Sequence, residues 1–145
     1  MTQNNEPIIV ERTFNAPVQK VWEAISDKEK MKQWYFAVSD FKQEPGFEFT
    51  FAGQGSNGEK HLHLCKVIEV VPQKKLSYTW QYEGKEGSSL VTFDLIPQKD
   101  TCKIILTHSG VETFAANGAD FAKSSFKEGW TMIIGTSLRD FAESK

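Results

Sequence analysis

Cysteine is nearly missing from this sequence: Cys65 and Cys102 are the only two in 145 residues. A disulfide framework needs more cysteines and a secretory setting, so both are expected as free thiols buried in strands. There is no C-x-x-C pair and no G-x-S-x-G nucleophile turn, and no two acids are paired for general acid–base work. Charge of neither sign is in excess. Seventeen Lys and Arg stand against nineteen Asp and Glu, a net charge of −2 that offers no basic field to nucleic acid. The local group Lys28, Lys30 and Lys32 reads as a solvated face. Long apolar runs are also lacking. The uncharged stretch Gly129 to Leu138 falls far short of the roughly 20 residues a membrane span requires. The polar start, Met1 to Asn5, has no apolar segment of a secretory signal, so a cytoplasmic location is expected.

What the chain does have is aromatic bulk: eleven Phe, four Trp and three Tyr. Side chains of this size fill a core or line an apolar pocket. The stretch around which the chain is organised is Phe121 to Phe141. There Phe126, Trp130, Ile133, Ile134, Leu138 and Phe141 form one apolar stripe at about 100° per residue. Such a helix is roughly 32 Å long at 1.5 Å per residue and needs something long and flat to lie on. Gly129 and Gly135 interrupt it, each at a cost of about 1 kcal/mol relative to alanine. Either they allow close packing against a strand, or they leave room beside a cavity.

The remaining chain supplies a sheet. Ile8 to Phe14 alternates as a strand. Ala16-Pro17 opens a helix with Val18, Val21, Trp22 and Ile25 on one side, because proline is at ease in a first turn. Ser26 and Glu29 have capping-box spacing for a second short helix carrying Met31, Trp34 and Tyr35. Pro45-Gly46 marks a turn, after which Phe47, Phe49 and Phe51 alternate with polar residues. Gly53, Gly55, Asn57 and Gly58 make a hairpin connection; no Lys-Ser/Thr pair follows to make them a phosphate loop. Glu59 to Val71 is a strand of mixed pattern, which implies a bulge or burial on two sides. Leu76 to Tyr82, Val91 to Leu95 (closed by Pro97) and Cys102 to His108 complete an antiparallel meander. Strand, two helices, five strands and a long helix make an α+β fold in one domain, residues 1–145.

Three histidines are the remaining candidates for chemistry. His61 and His63 share a strand face, but no third metal ligand offers itself, so no metal is expected and exposed or hydrogen-bonded strand histidines are. His108 ends the parity of Ile104 and Leu106, which places it in the interior as a structural or ligand-contacting residue.

Several runs carry a family resemblance. Glu11-Arg12-Thr13-Phe14-Asn15-Ala16-Pro17 followed by Val21-Trp22 resembles the opening of the START-like helix-grip superfamily. Val67-Ile68-Glu69-Val70-Val71-Pro72, Leu76-Ser77-Tyr78-Thr79-Trp80, Leu106-Thr107-His108-Ser109-Gly110 and Glu128-Gly129-Trp130 are similar to the subfamily of the activator of the ninety-kilodalton heat-shock-protein ATPase. The resemblance implies a curved six-stranded antiparallel sheet gripping the C-terminal helix, with a cavity between them closed by the two short helices. The superfamily holds lipid and polyketide binders, cyclases and the chaperone activator, so fold does not choose among them. The expected function is a small binding protein for an apolar or aromatic molecule, lipid or polyketide-like, without a cofactor. Its lining candidates are Trp34, Phe49, Phe51, Trp80, His108, Trp130 and Ile134. A co-chaperone or other interaction module is the alternative. An enzyme is the third reading, with His108 as its only acid–base group.

Overall fold

The computed structural model describes residues 7–35, 38–54, 60–85, 87–117 and 123–143. The elements follow the hydrophobic periods. Strand β1 (Ile8–Phe14) leads into helices α1 (Val18–Ser26) and α2 (Lys28–Trp34). Strands β2 (Glu48–Gln54), β3 (Lys60–Val71), β4 (Lys75–Tyr82), β5 (Ser89–Gln98) and β6 (Thr101–Ser109) come next. A 3₁₀ turn (Val111–Asn117) that the sequence reading did not anticipate precedes the C-terminal helix. The strands form one antiparallel sheet in the order β1-β6-β5-β4-β3-β2, so the meander closes by β6 returning beside β1.

Alternation decides which face is buried. Val91, Phe93 and Leu95 of β5 and Cys102, Ile104, Leu106 and His108 of β6 point into the core, while Asp94 lies on the opposite parity. The expected irregularity in β3 is a register shift between Val67 and Glu69 opposite β4. His63, Cys65 and Val67 precede the shift on the core side, and Ile68, at the shift, is exposed. Pro97 does not end β5 as expected but pairs with Cys102 inside it. The hairpin residues 55–59 lie outside the described residues, although Gln54 and Lys60 pair across its base. Gly87, at φ +107°, is required where it stands: a Cβ there would come within 2.5 Å of the Phe114 ring.

The second short helix is capped by Asp27 rather than Ser26. The Asp27 carboxylate accepts from the amides of Glu29 (2.9 Å) and Lys30 (3.3 Å). The Ser26 hydroxyl donates back to the Trp22 carbonyl at 2.6 Å, which removes it from the cap.

The C-terminal helix is the main correction. It runs as α3 (Lys123–Met132), a π-helical segment (Ile133–Leu138) and α4 (Arg139–Glu143). Its buried residues are Phe126, Trp130, Ile134, Leu138 and Ala142, spaced strictly by four. Ile133 and Phe141, expected in the stripe, are only partly buried, and Ala142, which is not among the expected stripe residues, is fully buried. At about 100° per residue an unbroken α-helix would carry Ala142 roughly 160° round from Phe126. The wider π turns absorb that drift and keep one row of side chains facing the sheet. Gly135 lies in this segment, where a Cβ would sit 3.3 Å from Nε of Arg12 on β1, so its place is close packing. Gly129 faces open space on an exposed turn and opens no room toward the interior.

Candidate functional site: the aromatic interior

Between the sheet and the C-terminal helix the large side chains meet ring to ring. Trp130 is 2 % exposed and contacts Trp80 at 5.5 Å between ring centroids and Phe93 at 6.1 Å. Trp80 touches Phe51 (5.5 Å) and His108 (5.4 Å). Phe51, Trp80, His108 and Trp130 thus form one continuous surface; Ile134, one turn along the helix from Trp130, is fully buried. Phe49 and Trp34 lie at the edges of that surface. Phe49 packs edge-on against Tyr78 and Phe41. Trp34 stacks on Tyr35 at 4.9 Å, and its indole N–H donates to the Ala24 carbonyl at 2.7 Å, tying α2 to α1.

His108 is the polar centre of this surface, and its protonation can be derived from its neighbours. The Trp130 indole N–H donates to Nδ1 at 2.9 Å, and a Trp N–H can only donate. Nδ1 is therefore the bare nitrogen, and Nε2 carries the proton that faces the Ser89 hydroxyl at 2.8 Å. Ser89 passes its own proton to the Trp80 carbonyl at 2.9 Å. Burial lowers the His108 pKa to about 3, because the charged imidazolium would lose its hydration. The ring is neutral, with both nitrogens engaged. Ser89 stands beside it as an acceptor and is not an activated nucleophile.

His63 is buried, not exposed, and stacks on Phe51 at 4.3 Å between centroids. The side chain of His61 lies outside the described residues. Among the described residues no three His, Cys, Asp or Glu side chains are grouped to hold a metal ion. Cys65 and Cys102 are separate buried thiols on β3 and β6, each with its pKa raised by burial.

Sequence reasoning missed two participants. Ser89 shares the parity of Val91 and Phe93, and a hydroxyl on an apolar face was the available signal. Tyr35 was assigned to the second helix only; its hydroxyl meets that of Tyr78 at 2.9 Å, and its ring approaches Phe51 (5.8 Å) and Trp130 (6.2 Å). The outer side of Tyr35 borders an open cleft of about 480 Å³, whose other walls are Gln33, Trp34, Ser137, Asp140 and Phe141. Tyr35 therefore borders both the cleft and the interior cluster.

A sheet gripping a helix over an aromatic interior defines an α+β helix-grip domain. The family described as Activator of Hsp90 ATPase homolog 1-like protein matches residues 15–143, and the chain belongs to it. Protein BH1534 from Bacillus halodurans is 32% identical, with 94% of this chain and 96% of that one covered at a TM-score of 0.72. Protein CV1439 from Chromobacterium violaceum shares the fold at 19% identity and TM-score 0.80, covering 97% and 99%. DynU16, a protein of the dynemicin biosynthetic locus, shares it at 21% identity and TM-score 0.74, covering 93% of this chain and 46% of that one. The comparison with curated proteins returned no match. No helix among the described residues is long and apolar enough to cross a membrane.

Proposed function

We propose that the protein binds an apolar or aromatic small molecule, lipid or polyketide-like, between the sheet and the C-terminal helix. The observation that carries this reading is the cleft at Tyr35: this half-buried ring borders a solvent-open space on one side and approaches Phe51 and Trp130 on the other. Of the residues proposed to line the site, only Trp34 borders this cleft of about 480 Å³, so a ligand reaches the others past Tyr35. Trp34, Phe49, Phe51, Trp80, His108, Trp130 and Ile134 are the lining residues of the proposal. The likeness to a protein of a natural-product locus supports the ligand class. Binding is preferred to catalysis because both nitrogens of His108, the one candidate acid–base group, are engaged. A panel of lipids and aromatic natural products, followed by tryptophan emission and amide chemical shifts, tests it. Binding that perturbs Trp80 and Trp130 is expected; a panel that moves neither signal overturns the reading.

The family description favours a second reading, a module acting on an Hsp90-type chaperone. The outer face of the C-terminal helix offers a surface for it, an open groove of about 540 Å³ between Lys127, Glu128, Thr131, Met132 and Thr136. Stimulation of chaperone ATPase by the wild type, lost in Met132→Asp, would favour this reading over the first.

A further inference from the structure

The buried polar groups around His108 are matched one to one, and so are Trp34 with Ala24 and the Trp80 indole with the Tyr82 hydroxyl (2.9 Å). Tyr78 differs from these in that its one partner is a residue at the cleft. It is 1 % exposed, and among the described residues its hydroxyl makes a single hydrogen bond, the one to Tyr35. A phenol donates once and accepts up to twice, so Tyr78 keeps unused capacity inside an apolar core. It cannot turn away from this position. Its strand is fixed by the pairing of Tyr78 with Val67 and Val91, and its ring is held by Phe49 (5.1 Å) and Phe93 (6.0 Å). Its one partner, Tyr35, is the half-buried ring that borders the cleft.

We propose that Tyr78 is the polar anchor of the bound small molecule: an uncharged hydroxyl or keto oxygen on an aromatic ligand takes the place of the Tyr35 hydroxyl, while Tyr35 swings toward the cleft between α2 and the π segment. This inference rests on the small-molecule reading above. The restriction to an uncharged group follows from the interior itself. Among the described residues its buried polar side chains are Ser26, His63, Ser77, Ser89 and His108, with no Lys, Arg, Asp or Glu. A carboxylate or ammonium carried inside would have no counter-charge. Burial also raises the pKa of both phenols, so they meet the ligand as neutral donors.

Three probes of one ring system test the anchor by calorimetric titration at pH 7: naphthalene, 2-naphthol and 2-naphthoate. A purely apolar pocket favours naphthalene, which leaves water most readily. The anchor instead predicts that 2-naphthol binds roughly three- to tenfold tighter than naphthalene, the worth of one net hydrogen bond. The naphthoate anion should bind at least tenfold more weakly than 2-naphthol. In Tyr78→Phe the preference for 2-naphthol over naphthalene should vanish, with naphthalene bound at least as tightly as by the wild type because no Tyr35–Tyr78 bond has to break. Tyr35→Phe should act the other way and tighten 2-naphthol, because the ligand no longer competes with a phenol. Merely structural tyrosines would move both probes together. Equal binding of naphthalene and 2-naphthol to the wild type overturns the anchor and leaves the pocket standing. Failure of both to bind overturns the small-molecule reading and the anchor with it.

Discussion

The indole N–H of Trp130 points at the bare Nδ1 of His108 across 2.9 Å, joining the C-terminal helix to β6 at the centre of the core. From there the bonds run through Ser89 to the Trp80 carbonyl, so one chain of four residues fastens the helix to β4, β5 and β6. Each member has its donors and acceptors matched, which is the condition for a buried polar network to stabilise a single packing. This network also carries the family-like runs at His108 and Trp130, and the structure supplies their physical role.

Acid should weaken the fold through His108. Its folded pKa of about 3 lies below the ordinary histidine value of 6.5, because burial penalises the charged ring. Between those two values the unfolded chain binds a proton that the native chain refuses. The contribution is therefore complete above pH 6.5 and is lost as pH falls toward 3, at about 1.4 kcal/mol per pH unit. Chemical denaturation at pH 7 and pH 5 should differ by about 2 kcal/mol on this account. The His108 ring should keep its neutral imidazole shifts at pH 5; titration with a midpoint near 6.5 would contradict the assignment.

Much of this was legible in advance, because strand alternation and the position of the C-terminal helix follow directly from residue periods. Three features were not. The π segment lies outside a reading that assumes 3.6 residues per turn, so Ile133 and Phe141 were placed in a row that Ala142 occupies. Asp27 was hidden because Ser26 fits the same cap motif, and only the backbone shows that its hydroxyl is spent on Trp22. The Tyr35–Tyr78 contact joins residues forty-three positions apart, and no local pattern records such a pairing.

The two helix glycines should respond differently to alanine. At Gly129 an added Cβ meets nothing within 4 Å, on an exposed turn of α3. Gly129→Ala should therefore recover most of the helix-propensity cost and stabilise the protein by about 0.5–1 kcal/mol. At Gly135 the same methyl lies 3.3 Å from the tip of Arg12, which must shift to admit it. That cost offsets the propensity gain, so Gly135→Ala should leave the melting temperature nearly unchanged. Thermal unfolding of both variants checks the pair. A loss of stability in Gly129→Ala would show that its face is covered.

Trp130→Phe isolates the bond to His108 from the packing around it. Phenylalanine keeps an aromatic ring against Trp80 and Phe93 but removes the donor that reaches Nδ1. The buried nitrogen is then left unsatisfied, a cost of about 1–3 kcal/mol, to which the smaller ring adds a cavity term. Stability alone cannot divide those two contributions, but the histidine can. Burial remains the main cause of the low His108 pKa of about 3, but a hydrogen bond into the lone pair of Nδ1 also favours the neutral ring, so its removal should raise that pKa. The native protein would begin to accept a proton in the range where the wild type refuses one, and the pH dependence of stability below 6.5 should flatten. Nitrogen-15 shifts of His108 in the two proteins, recorded from pH 7 to pH 4, measure this directly. An unchanged titration in folded Trp130→Phe would mean that burial alone holds the ring neutral. The network would then be a consequence of the packing and not one of its causes.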